Sequence, residues 1–318
     1  MTSLRLVFAG SPAAAVPSLR LLAASRHEIV GVVSRDDSPQ GRKGVLTPTA
    51  VTSAAMELGL PVIRANRLAG DATDDIAARR PDLGVIVAYG GLVREPLLST
   101  PRLGWINLHF SILPRWRGAA PVQRAIMAGD EITGASVFQL VPELDAGDVY
   151  GVLTESIGAH QTAGQLLDSL ADSGARLLAG VVDALADGTA RAEPQLGDVT
   201  LAPKLTLADG EIDWSSDAAA IAARIRGVSP EPGAFTTLDG SRFKILEAAI
   251  ARDAPRAEPG HFVSFGRTVV VGTAGSSIEL VRVQPAGKKA MAASDWWRGR
   301  PPGTPTIANT QPAIGVSE

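Results

Sequence analysis

Ile106-Asn107-Leu108-His109-Phe110-Ser111-Ile112-Leu113-Pro114-Arg115-Trp116-Arg117-Gly118-Ala119-Ala120-Pro121-Val122-Gln123 is the stretch from which the rest of the chain is read. It opens as a short alternating apolar segment, places Asn107 and His109 two residues apart, breaks at Leu113-Pro114 and restarts at Gly118. Side chains two apart on a β-strand share a face, so the Asn carboxamide and the His imidazole converge on one small volume.

Working outward, Leu4 to Gly10 is an apolar run ending in Gly10-Ser11-Pro12, and Ala14 to Ala24 follows with helical spacing. Ile29 to Val33 is β-branched, Val51 to Leu58 is helical in composition, and Leu83 to Tyr89 reads as another buried strand. Apolar strands alternating with helical stretches predict βαβ units and a parallel sheet, an α/β architecture. Ligands of such sheets bind beyond the carboxyl ends of the strands, so Gly10-Ser11-Pro12, Tyr89-Gly90-Gly91 and the residues after His109 are expected to share one cleft. Gly10-Ser11-Pro12 lacks the G-x-G-x-x-G spacing that cradles a pyrophosphate, which argues against a nicotinamide cofactor. Arg35 to Pro48 is polar and rich in glycine and proline, and reads as an irregular loop. A solvated excursion and a mobile arm that grips phosphate through Arg42 and Lys43 are both open.

Beyond Gln123, the pattern predicts a helix over Ala119 to Ala128, a strand over Ser136 to Leu140, and a turn-rich loop from Val141 to Asp148 carrying Glu143, Asp145 and Asp148. A strand over Tyr150 to Ser156 and an amphipathic helix over Ala163 to Ala186 complete this half. Asp187 to Lys204 is loop-like and reads as a linker. Gly210 to Trp214, a helical run from Ala218 to Arg226, and β-like pieces at Ala234 to Thr237, Phe243 to Leu246, Thr268 to Val271 and Ile278 to Val283 predict a small β-rich domain. The last 18 residues, from Pro301, are Pro/Thr-rich and expected to be disordered.

With 318 residues and 45% hydrophobic content, the chain is long enough for two domains. A formal charge of -3 gives no global basic signature, so a nucleic-acid partner would have to be met by local patches. The chain has no cysteine, which removes disulfides, a thiolate nucleophile and Cys-based metal sites, and fits a reducing cytoplasm. The apolar run near the N-terminus is too short for a signal-peptide core, and no run approaches a membrane span, so a soluble protein is expected.

Of the four histidines, His27, His160 and His261 lie in ordinary polar contexts, whereas His109 stands near a predicted strand end beside Asn107. Its orienting partner would be a carboxylate between Glu143 and Asp148. Ser111 as the nucleophile of a Ser-His-Asp triad is the competing reading, but it lacks the G-x-S-x-G elbow. No second histidine stands at metal-ligand spacing, so no metal is expected. An Asn/His/carboxylate set without a covalent nucleophile suits direct acyl transfer between two bound substrates, with His handling protons and Asn donating to an oxyanion.

Asn107-Leu108-His109, Ser111-Ile112-Leu113-Pro114 and Glu143-Leu144-Asp145-Ala146-Gly147 together resemble the signature of the formyltransferases that use 10-formyltetrahydrofolate. Arg115 to Gln123 is similar to the methionyl-tRNA formyltransferase branch, as are Leu6 to Pro12, Val87 to Gly90, Ala202-Pro203-Lys204, Ile212-Asp213-Trp214, Pro232-Gly233-Ala234 and Gly287-Lys288-Lys289. The resemblance spans almost the whole chain. It implies a Rossmann-like catalytic domain over residues 1–188, a linker over 189–206, an OB-like β-barrel that binds tRNA over 207–312, and a tail over 313–318. It further implies Asn107, His109 and Asp145 as catalytic residues, with the folate against Ser111, Ile112, Leu113, Pro114, Tyr89, Gly90, Leu92 and Val141. Arg42 and Lys43 would meet the acceptor stem of an initiator methionyl-tRNA, and the protein would act as a cytoplasmic monomer. Formyl transfer to a small amine, such as a purine precursor or an amino sugar, and a non-catalytic tRNA- or folate-binding module are the alternatives. The chain departs from the family pattern at Phe110, Ile112 and Ala13-Ala14, and in the short basic cluster of the arm, but at none of the three catalytic positions.

Overall fold

The computed structural model describes residues 2–40, 44–301 and 305–308. The chain gathers into two compact units, Met1–Pro121 with Ile132–Ser156 and Leu167–Ala202, and Val122–Glu131 with Ile157–Leu166 and Pro203–Glu318.

In chain order the elements of the first half are β1 (Arg5–Gly10), α1 (Val16–Ala23), β2 (Glu28–Ser34), β3 (Ser38–Gln40), β4 (Val45–Thr47), α2 (Ala50–Glu57), β5 (Val62–Arg64), α3 (Asp71–Ala78), β6 (Leu83–Val87), β7 (Trp105–His109), β8 (Arg117–Gly118), α4 (Pro121–Ala128), β9 (Ile132–Gln139), β10 (Val149–Ser156), α5 (Ala163–Ala186) and β11 (Leu201–Ala202). Seven of these strands form one sheet in the order β10-β9-β7-β6-β1-β2-β5. Its central strands are apolar throughout because both faces are covered: every residue of β6, and all of β1 after Arg5, is buried. The expected parallel pairing holds from β5 to β7. It fails at β9, which pairs antiparallel to β7, and at β10, which pairs antiparallel to β9. The physical reason at the last pair is the loop of residues 140–148, too short for the crossover that a parallel partner requires. Gly84 fits a specific need of this sheet: its register partner is Trp105, fully buried, and a Cβ at Gly84 would come within 2.1 Å of the indole.

Strand order reverses direction at β1, with β2 and β5 on one side and β6 and β7 on the other. The carboxyl ends of β1 and β6 flank this switch point, the place where open α/β sheets bind ligands. Arg35 ties the two ends together. Its backbone N–H donates to Ser11 Oγ at 3.3 Å, and its guanidinium donates to the Tyr89 and Gly90 carbonyls at 3.2 and 2.7 Å.

Two expectations are corrected. Arg35 to Pro48 is not an irregular loop; β3 and β4 pair antiparallel within it, Ser38 opposite Thr47. Ala14 to Ala24 is not one helix, since a 3-10 turn over Ala13–Ala15 precedes α1. Arg42 and Lys43 lie outside the described residues.

The other unit contains α6 (Ala218–Gly227), β12 (Ala234–Leu238), β13 (Ser241–Ala251), β14 (His261–Phe265), β15 (Thr268–Gly272), β16 (Ser277–Pro285), β17 (Met291–Ala292), α7 (Ala293–Arg298) and β18 (Thr306–Ile307). Its antiparallel strands run β12-β13-β16-β15-β14-β18, with β17 beside β16. Trp214, Phe243 and Phe262 pack in its core, edge against face at 6.0 and 6.2 Å between ring centroids. A third correction falls here: the stretch after Pro301 contributes a strand, β18. Thr306 and Ile307 pair with Phe262 and His261, and Ala308 bridges Leu238 of β12, so the short last strand joins the two edges and closes the sheet into the expected small barrel. The tail over 313–318 lies outside the described residues.

Candidate active site

Asn107 and His109 lie on β7, with Asn107 opposite Ile86 of β6 and Phe138 of β9, and His109 opposite Ser136. The carboxamide of Asn107 is half-buried, and among the described residues none exchanges a hydrogen bond with it. An uncommitted, partly desolvated amide at a strand end is a donor held ready for something else.

His109 is 6% exposed and lies edge-on to Phe138. Its Nε2 is 2.8 Å from the Trp116 carbonyl. A carbonyl only accepts, so Nε2 carries the hydrogen and Nδ1 is the open basic position. Nδ1 faces Asp145 Oδ2 at 3.8 Å, an ion-pair distance beyond hydrogen-bond reach. The ring is therefore held by Trp116, while Asp145 stands ready to receive the charge that forms when Nδ1 takes a proton. Burial dominates the titration of His109 and pushes its pKa below the ordinary value, with the Asp145 carboxylate and the Trp116 carbonyl pulling the other way. A neutral imidazole at neutral pH is the form a proton acceptor needs.

Asp145 sits in the left-handed region at φ 45, and its Oδ2 accepts from the Gly118 backbone N–H at 2.7 Å. Gly118 itself has φ +123, and a Cβ there would fall 2.7 Å from the Ala202 carbonyl. This close approach exists because β8 pairs with β11, Arg117 opposite Leu201 and Gly118 opposite Ala202. Trp116 N–H donates to Thr200 Oγ1 at 2.9 Å, and Arg117 N–H to the Thr200 carbonyl at 2.9 Å. The segment read as a linker thus braces both partners of His109.

The turn after His109 is built from the inside. Ser111 is fully buried and its hydroxyl donates to the Arg115 carbonyl at 2.6 Å, so it shapes the turn and does not face a ligand. Ser136 Oγ donates to the Ser111 carbonyl at 2.7 Å and accepts from Leu113 N–H at 3.2 Å. Ile112 is half-buried, Leu113 and Pro114 are buried. Tyr89 also points inward, its hydroxyl donating to the Ala65 carbonyl at 2.6 Å, whereas Gly90 and Leu92 are exposed. The Asp145 loop also lines a cavity of about 390 Å³, with Gln139, Val141, Glu143, Ala146, Asp148 and Tyr150 among its walls. Of the residues expected around the folate, only Val141 lines it.

Sequence reading missed Arg35, Ser136, Gln195 and Thr200. Each acts through a pairing partner remote in the chain, and no local spacing announces such a partner. The strand read over Ser136 to Leu140 was the one available signal, for Ser136.

Fold and side chains together bring an amide, a buried imidazole and a carboxylate to the strand ends of a doubly wound sheet, a set suited to acyl transfer. Family models described as "Formyl transferase" and "Formyl transferase, C-terminal domain" match residues 4–182 and 204–301. A methionyl-tRNA formyltransferase of Clavibacter sepedonicus is 60% identical over 93% of this chain and 97% of its own length. One from Leifsonia xyli subsp. xyli is 61% identical over the same shares. Among solved structures, an N-formyltransferase from Helicobacter canadensis in complex with folinic acid and dTDP-3-aminofucose superposes with a TM-score of 0.67, at 15% identity, over 89% of this chain and 99% of its own. HypX from Aquifex aeolicus, in a variant form, reaches 0.66 at 16% identity over 94% of this chain and 48% of that larger one. The chain belongs to the formyl transferase family and, within it, to the methionyl-tRNA formyltransferases.

Proposed function

We propose that the chain transfers the formyl group of 10-formyltetrahydrofolate to the free α-amino group of methionyl-initiator-tRNA, giving N-formylmethionyl-tRNA for translation initiation. The carboxamide of Asn107, without a hydrogen-bond partner among the described residues and two residues from a buried and neutral His109, carries the chemical part of this reading. The near-full-length match to relatives of that name supports the acceptor.

10-Formyltetrahydrofolate supplies an activated formyl group. Asn107 Nδ2 donates to the formyl oxygen as negative charge develops there, a contact worth about 10²–10³ in rate. The attacking amine must be neutral, and an α-amino pKa of about 8 makes that form accessible near neutral pH. His109 Nδ1 accepts the proton that the amine loses and a proton is returned to N10 as the bond between the formyl carbon and N10 breaks, so that tetrahydrofolate leaves neutral at N10; this proton handling adds about 10²–10⁴. The Trp116 carbonyl holds the ring in place, and the nearby Asp145 carboxylate stabilises the imidazolium.

The cavity beside the Asp145 loop fits the folate: Val141 and Ala146 give it apolar wall, and the Glu143 and Asp148 carboxylates suit the N–H groups of a pterin. Contacts of the folate with Gly90, Leu92 and the Ile112–Pro114 turn belong to this reading, with the buried Tyr89 and Ser111 fixing the local backbone through their hydroxyls. Arg42 and Lys43, in the segment between β3 and β4, meet the acceptor stem. Residues 1–188 serve as the catalytic domain, 189–206 as the connection and 207–312 as the tRNA-binding barrel. The protein works as a monomer in the cytoplasm, where its cysteine-free composition is at home; no helix of the described residues is long and apolar enough to cross a membrane.

The test is incubation with 10-formyltetrahydrofolate and either initiator or elongator methionyl-tRNA, followed by assay for formylmethionine. Product with the initiator alone is the expected result. No product with either tRNA would end this reading, and equal rates with both would end its initiator selectivity.

A further inference from the structure

The amide of Gln195 is fully committed, at both ends, to the residues that hold the active site. Its Oε1 accepts from Arg117 Nε at 3.1 Å and from Arg117 Nη2 at 2.7 Å. Its Nε2 donates to the Asp145 carbonyl at 2.8 Å and to the Gly147 carbonyl at 2.9 Å. Two lone pairs and two N–H groups are all the hydrogen-bonding capacity this side chain has. The orientation is also forced. Reversing the amide would set N–H groups against the guanidinium and oxygen against two carbonyls, leaving all four contacts repulsive.

These contacts close a ring. Gly118, the residue after Arg117, donates its backbone N–H to the Asp145 carboxylate, while the Arg117 side chain reaches through Gln195 to the Asp145 backbone. Asp145 is thus gripped at its carboxylate from one side and at its carbonyl from the other. The grip also holds its backbone in the left-handed region, at φ 45, which non-glycine residues seldom adopt. Without the Gln195 bridge, the loop is free to relax, and the 3.8 Å separation between Asp145 and His109 is no longer set.

We infer that Gln195 is a positioning residue for formyl transfer: it fixes the Asp145 loop against Arg117 so that the carboxylate stays opposite His109 Nδ1. The inference rests on the reading of Asp145 as the partner of His109.

The test is a double-mutant cycle on the full chain, reading kcat and the KM for methionyl-tRNA. Gln195→Met keeps the volume and removes all four hydrogen bonds. It should lower kcat about 10- to 100-fold, the usual cost of losing a group that holds a functional side chain, with the tRNA KM within about twofold. In an Asp145→Asn background the same change should cost less than about twofold, because the carboxylate it positions is already gone. A loss that persists undiminished in that background would show that Gln195 acts elsewhere in the fold and would overturn the inference. Gln195→Glu preserves the acceptor for Arg117 but turns an oxygen toward the two carbonyls, so it should be at least as slow as Gln195→Met; native turnover in this variant also overturns it. Arg117→Lys, which leaves Gln195 with a weaker anchor, should show a smaller loss with the same non-additivity, and it stands in if Gln195→Met does not fold. An Asp145→Asn chain as fast as the native one would instead remove the catalytic reading beneath the proposal.

Discussion

The imidazole of His109 should titrate below about 6.5, the value of a free histidine, because burial disfavours its charged form more than Asp145 and Trp116 favour it. Histidine NMR of the native chain checks this, and Asp145→Asn should push the titration lower still by removing one of the two groups that raise it. An upward shift in that variant would contradict the assigned electrostatics. The sign carries into stability. With the folded pKa depressed, the unfolded chain takes up the proton first as pH falls below the free value, so the native state loses stability on acidification. His109→Gln lacks that dependence, and its stability relative to the native chain should improve between pH 7 and pH 5 in urea titrations. Asn107 and His109 were legible in the sequence because period-2 geometry needs no knowledge of the fold. The Trp116 carbonyl was not legible, because a backbone acceptor leaves no mark in side-chain chemistry.

Two residues of strand, Arg117–Gly118, carry the site because they pair with β11 from a distant part of the chain. Gly118→Ala would place a Cβ within 2.7 Å of the Ala202 carbonyl and force φ +123 on an alanine. A loss of about 1–3 kcal/mol in unfolding free energy is expected, with kcat reduced further because the backbone shift that relieves the clash draws this backbone N–H away from Asp145. Native kcat and native stability in this variant would show that β8 is not the anchor described. Among the elements that reading by pattern located, β1, β2, β6, β7, α2, α5 and α6 show apolar periodicity or caps such as Asp217, whose side chain accepts from Ala220 N–H. Those it missed are short or weakly apolar. α3 buries only Thr73 and Ile76, and β3 carries Pro39, which argues against a strand.

At the scale of the whole molecule, the two units interleave in sequence, and the last described strand does more than its length suggests. Removing residues from 305 onward should reopen the barrel between β12 and β14, seen as faster hydrogen exchange at Leu238 and at His261–Phe262, while exchange in β6 and β7 stays unchanged. Unchanged exchange at all these positions would mean that the closing strand adds nothing. Since the net charge is -3, attraction to tRNA has to come from local basic groups, and the tRNA KM should rise with salt while the folate KM holds steady. Arg42→Ala should flatten that salt dependence as it raises the tRNA KM; no change in either would leave the arm without a role in tRNA binding. The role proposed for Asn107 is to accelerate formyl transfer by stabilising charge at the formyl oxygen. Its most direct test is single-turnover formylation of initiator methionyl-tRNA by the native and Asn107→Ala chains at saturating 10-formyltetrahydrofolate, with tetrahydrofolate affinity measured on both. A transfer rate about 10²–10³ slower at unchanged affinity is predicted. An unchanged rate, or an affinity that falls as far as the rate, would contradict it.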